Sequence, residues 1–129
     1  MKKTRNVFIL VSALAVILAV GLSADAKDKK HAMKDANFQG EVLDMACYIS
    51  HGAKGADHAA CALKCAKDGQ PIGLLTKDGK VFLLFADHDD NTAFNKTKDF
   101  AGKNVAISGM PFEKDGIKGI TVHSVKGVE

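Results

Sequence analysis

Two Asp-Gly pairs, Asp78-Gly79 and Asp115-Gly116, each stand between short runs rich in Val, Ile, Leu and Phe, and this repeated arrangement constrains the fold more than any other feature. Asp-Gly reaches the positive backbone angles of a tight hairpin at little steric cost, while β-branched and aromatic flanks suit a pleated, half-buried surface. The first turn joins a strand over 71–76 to one over 80–86, and the second joins 103–112 to 117–125. Upstream, Phe38 to Asp44 alternates Phe38, Gly40 and Val42 against Gln39, Glu41 and Leu43, which predicts a half-buried first strand with a mismatch at Leu43. Five strands follow. Residues 88–103 predict a short helix between the third and fourth, capped by Asp89, Asp90 or Asn91 and ended by Gly102, with Phe94 and Phe100 turned to the core.

That order, with a helix between strands three and four, is the order of the OB-fold, a small Greek-key barrel. The fold class expected is therefore mainly β: a five-stranded OB-like barrel over 38–129, with a helical insert over 45–70 between strands one and two. Gly102, Lys103, Val105, Ile107, Gly109, Ile120, Val122, Ser124 and Val125 form the pattern "GK-x-V-x-(V/I)-x-G … I-x-V-x-S-(V/I)". On those residues the last thirty positions resemble the closing half of secreted bacterial OB-fold proteins, a resemblance that implies fold and says little of function. The insert carries "D-x-x-C-Y … G-x-x-G-x-x-H-x-x-C-A-x-x-C … G-x-P-x-G-L-L" at Asp44, Cys47, Tyr48, Gly52, Gly55, His58, Cys61, Ala62, Cys65, Gly69, Pro71, Gly73, Leu74 and Leu75. It resembles small exported bacterial proteins of unassigned role and reads as one unit.

The N-terminus predicts the compartment. Lys2, Lys3 and Arg5 precede an apolar run from Val7 to Leu22, and Ala24 and Ala26 supply small residues for cleavage, so residues 1–26 read as a secretory leader. Residues 27–37, charged and without periodicity, read as a flexible tail containing His31. The mature chain is then expected to be periplasmic or secreted, touching a membrane only if the leader stays uncleaved. Loss of three basic residues and one acidic residue with the leader reduces the charge from +3 to +1. With that balance, and with most aromatics on core positions, neither a basic groove nor a stacking platform for nucleic acid is visible.

All three cysteines fall between residues 47 and 65. In DHAACALKCAKDG a helix is expected, with Asp57 as its cap and Gly69 past its end. Spacings of three and four put His58, Cys61 and Cys65 on one stripe, and Cys47 can fold back over it across the flexible Gly52-x-x-Gly55 stretch. Thiolate and imidazole together suit a soft or borderline ion, so the first expectation is a zinc or copper site of Cys47, His58, Cys61 and Cys65, with His51 in reserve. An oxidising compartment argues for the alternative. There, Cys47 bonds to Cys61 or Cys65, stabilising the domain by about 3 kcal/mol, and the barrel edge binds a protein or envelope ligand without metal. A thiol–disulfide exchange centre is a third reading, weakened by the lack of a Cys-x-x-Cys motif.

No catalytic constellation is visible, and the chain is read as a binding module, not an enzyme. Ser50 and His51 have no third orienting partner in the sequence. Asp87 to Asn91 begins like a calcium loop, but Thr92 stands at the glycine position and Lys98 at the glutamate position, so a helix cap is the better reading.

Overall fold

The structure, a computed structural model, describes residues 34–129. The predicted leader and the tail through Met33 lie outside the described residues. Five strands, β1 (Ala36–Asp44), β2 (Ile72–Thr76), β3 (Val81–Ala86), β4 (Asn104–Lys114) and β5 (Ile117–Gly127), close a barrel in the order β1-β2-β3-β5-β4. The β3–β5 pairing is parallel, with Leu84 opposite Ile120, and the other four are antiparallel. Three helices complete the described residues: α1 (Met45–His51) and α2 (Ala59–Lys67) between β1 and β2, and α3 (Thr92–Lys98) between β3 and β4. None of them is long and apolar enough to cross a membrane.

Alternation along the strands sends Val42, Ile72, Leu74, Leu84, Val105, Ile107, Ile120 and Val122 inward, where all are buried. The interior is completed by α2. Its Ala62 and Ala66, four residues apart and therefore on one stripe, join that core with Ala101. Alanine lets the helix backbone come close to the strands. Ala62 and Ala66 are each preceded by a cysteine, so Cys61 and Cys65 share the neighbouring stripe, about 100° round the helix. Burial of the alanine stripe thus fixes where both sulfurs point.

The two Asp-Gly turns differ. Asp115 (φ 51°) and Gly116 (φ 83°) both take the left-handed conformation, as a two-residue hairpin loop requires. In the β2–β3 hairpin only Gly79 does so, because the loop is longer and closes with Thr76 N–H donating to the Lys80 carbonyl at 2.9 Å. For α3, Asp90 is the residue that accepts from the helix start: its Oδ1 takes the Thr92 amide at 2.8 Å.

Several expectations shift. The first strand begins at Ala36, so Ala36 and Asn37, expected in the tail, pair with Gly109 and Ser108 of β4. Leu43 breaks the half-buried alternation because Val42, Leu43 and Asp44 are all buried, which means that this end of β1 is covered on both faces. The insert contains an additional helix. Asp44 caps it, accepting the amides of Ala46 (3.0 Å) and Cys47 (3.4 Å) and starting α1 directly from the strand. Asp57, the expected cap of the cysteine-bearing helix, makes no capping bond: residues Ala56–His58 form a 3₁₀ turn that leads into α2, so His58 stands at the N-cap position and α2 has no side-chain cap.

Candidate metal centre

The insert returns its cysteines to one place. In α1, Met45 anchors the helix by donating its amide to the Pro71 carbonyl at 3.0 Å and laying its side chain over Gly73, where a Cβ would meet the Met45 sulfur at 2.3 Å. Cys47 follows in the first turn. The chain then leaves α1 through Gly52 and crosses to Gly55, whose amide donates to the Glu41 carboxylate of β1. This bond ties the crossing loop to the barrel wall. The Gly55 carbonyl in turn accepts the His58 amide at 3.1 Å, which sets the position from which the imidazole and α2 depart.

The sulfurs of Cys47, Cys61 and Cys65 lie within 4.8 Å of one another. All three cysteines are free thiols; Cys61 is exposed, and Cys47 and Cys65 are partly covered. A second group of the same span joins Asp44, Cys47 and His58. Cys47 is common to both. Of the four ligands expected from the sequence, then, three sulfurs share one group, and His58 meets Cys47 in the other. The reserve ligand, His51, is exposed at the end of α1 and belongs to neither.

Sequence reasoning missed Asp44 as a donor. Its place in the Asp44-x-x-Cys47 pattern carried the signal, since an N-cap aspartate and a residue of the first turn are neighbours in space. The side chain is 1 % exposed. One oxygen, Oδ1, is used by the cap. The other, Oδ2, is buried with no hydrogen-bond partner, and among the described residues the only other such side-chain atom is His58 Nε2. Two buried polar atoms, in residues that share one ion-sized group, are open to a further ligand, since an unpaired buried polar group is costly, and at Asp44 the neighbouring thiols of Cys47 and Cys65 offset part of that cost.

Electrostatics couple the carboxylate to the sulfurs. Burial pushes the Asp44 carboxyl up, but the adjacent thiols of Cys47 and Cys65 and the amides of Cys47 and Ala46 outweigh it and hold the group below its ordinary 3.8. The reverse effect is larger. The Asp44 carboxylate, followed by burial, raises the Cys47 thiol above its ordinary 9.0, and the same two causes, with Cys61 behind them, push Cys65 up to about 12. Without an ion these two cysteines are protonated at neutral pH. A cation is the species that reverses the balance, since it stabilises thiolates and carboxylate together while releasing protons.

The donors fit such an ion chemically. Three sulfurs offer the soft environment of copper(I), and sulfur with imidazole and carboxylate suits zinc. Comparison with known proteins gives no match: no family model, no curated protein and no solved structure is similar to the chain.

Proposed function

We propose that this chain is an exported, non-enzymatic binding module that holds a soft transition metal, zinc or copper, through Cys47, His58, Cys61 and Cys65 in the insert of an OB-like Greek-key barrel. The observation that carries the reading is the convergence of three unbridged sulfurs within 4.8 Å of one another, beside two buried polar atoms that have no partner. The barrel order β1-β2-β3-β5-β4, with the insert in the first connection, supports the OB-like assignment, since that connection contributes to the binding edge of OB-folds. The predicted leader places the module in the periplasm or outside the cell. There the ion also protects the thiols, because a sulfur that coordinates metal is not available for a disulfide.

In this reading the barrel is a rigid mount. Helix α2 is fixed by its alanines, α1 by the Asp44 cap and Met45, and the loop between them by Glu41. Exposed Cys61 is the sulfur an arriving ion meets first. The test is elemental analysis together with a count of free thiols on protein purified without reductant. One ion per chain, with three thiols recovered on chelation, supports the function. One free thiol and no ion would instead describe a disulfide-stapled barrel whose partner is an envelope protein.

A further inference from the structure

We propose that Asp44, Cys47 and His58 form a second metal position, selective for a divalent borderline ion such as zinc, beside a three-sulfur position of Cys47, Cys61 and Cys65 selective for copper(I), and that the two ions compete for the shared Cys47 sulfur. This inference rests on the reading of the insert as a metal centre and assigns to it a ligand, Asp44, that the Cys₃His set lacks.

Three observations carry it. The donor atoms of Asp44, Cys47 and His58 lie within 4.8 Å of one another, and metal–ligand bonds of about 2.0 to 2.3 Å place the donors of a tetrahedral zinc somewhat closer than that limit, so small side-chain rotations suffice. Asp44 is 1 % exposed; its Oδ1 is employed in capping α1, and its Oδ2 has no partner other than the neighbouring thiols of Cys47 and Cys65. A buried carboxylate held in place by its own backbone bonds and left with one open oxygen has the disposition of a preformed ligand. His58 Nε2 is likewise buried and open, and the bond from the His58 amide to Gly55, with that from Gly55 to Glu41, holds its backbone from the barrel side.

Charge and softness then sort the ions. Carboxylate, thiolate and neutral imidazole balance a divalent cation and mix oxygen, nitrogen and sulfur, the donor types found in zinc sites. The three-sulfur position has no hard donor and suits a soft monovalent ion. Both positions draw on Cys47, and a sulfur bound to one cation is a weaker donor to a second. Copper(I) arriving at exposed Cys61 therefore competes with the divalent ion for that sulfur.

The experiment titrates the purified, reduced, metal-free full chain with zinc and, separately, with copper(I), each against a chromophoric chelator. Asp44→Asn keeps the cap and the volume but removes the charge. It is expected to weaken zinc at least tenfold without weakening copper(I), which gains from loss of the charge that raises the Cys47 and Cys65 thiols. His58→Gln, which leaves the α1 cap intact, is expected to give the same pattern. In the Cys61→Ser/Cys65→Ser double variant the preference inverts: copper(I) weakens at least a hundredfold and zinc less than tenfold. Copper(I) is expected to weaken zinc binding at least tenfold. Zinc affinity unchanged in both Asp44→Asn and His58→Gln, or equal losses for the two ions, overturns the second position while leaving the metal centre standing, and so does binding of both ions with neither weakened by the other. Failure of the unsubstituted protein to bind either ion overturns the metal centre itself.

Discussion

Gly102, at the end of the segment after α3, lies against Ala59, the first residue of α2, so closely that a Cβ on Gly102 would stand 2.5 Å from the Ala59 Cα. Gly102 is also in the left-handed region, with φ at 76°. Its amide donates to the Val42 carbonyl of β1 at 2.7 Å, so the same residue joins the barrel wall to the helix that carries two of the sulfurs.

Gly102→Ala meets both penalties at once, an unfavourable backbone conformation and a collision with helix backbone. The expected result is a loss of about 2 kcal/mol in urea unfolding, together with weaker metal binding because the start of α2 is pushed outward. A variant as stable as the original would show that Ala59 yields without effect and that the contact does not position α2.

Glu41→Ala removes the acceptor for the Gly55 amide and frees the crossing loop between α1 and α2. Loss of a hydrogen bond to a charged group at a partly exposed site is expected to cost about 1 kcal/mol. Metal affinity should fall with it, since His58 takes its backbone position from Gly55. Calorimetric titration of the variant measures this; Glu41→Gln, which keeps an acceptor oxygen, should recover most of the loss.

The three thiols should differ in reactivity when no ion is bound. Cys61 is exposed, whereas the Asp44 carboxylate and then burial raise Cys47, and the same causes push Cys65 up to about 12. Thiolate is the form that reacts with iodoacetamide. In a time course at pH 7.5 followed by peptide mass spectrometry, Cys61 is expected to be alkylated first and Cys65 last, and a saturating ion should protect all three. Equal rates would remove the carboxylate from its place beside the sulfurs.

His123 of β5 joins the residue before β1 to the residue after β3, with Nδ1 2.8 Å from Asp35 and Nε2 3.2 Å from Asp87. Asp35, first among the causes, raises the imidazole above its ordinary 6.5 against a smaller opposing effect of burial, and Asp87 adds to the rise. Because the folded value exceeds the unfolded one, the stability contributed is fully present below about 6.5 and is lost as pH rises through the higher folded value. Asp87 has the opposite sign: the Asp89 amide, foremost, keeps it below 3.8, so its contribution is present above the ordinary carboxylate range and lost in acid. Melting temperatures of the unsubstituted protein should therefore fall between pH 6 and pH 9 by more than those of His123→Asn. Parallel curves would show that folding leaves the imidazole pKa unchanged.

Much of the barrel was legible because hairpins are local. Asp115-Gly116 and the apolar runs beside it needed only steric rules, and the helix that reaches Lys98 was announced by its cap residues and ended before Gly102. The stripe of Cys61 and Cys65 followed from helical spacing alone. What spacing could not supply was α1, the first helix of the insert, because Asp44 reads as the last residue of a strand until Met45 is seen docked on Gly73.

Sequence by itself determined the donors available, two hairpins and the grouping of the cysteines in one connection, since these depend on residue type and on neighbours a few positions away. Only the tertiary structure decided that Asp44 stands with Cys47 and His58, that the four expected ligands divide into two groups sharing one sulfur, and that His123 reaches both Asp35 and Asp87. Those relations depend on closure of the barrel and on the burial of Ala62 and Ala66, which set the orientation of α2 relative to β1. Packing of that kind is a property of the whole chain, and no local pattern encodes it.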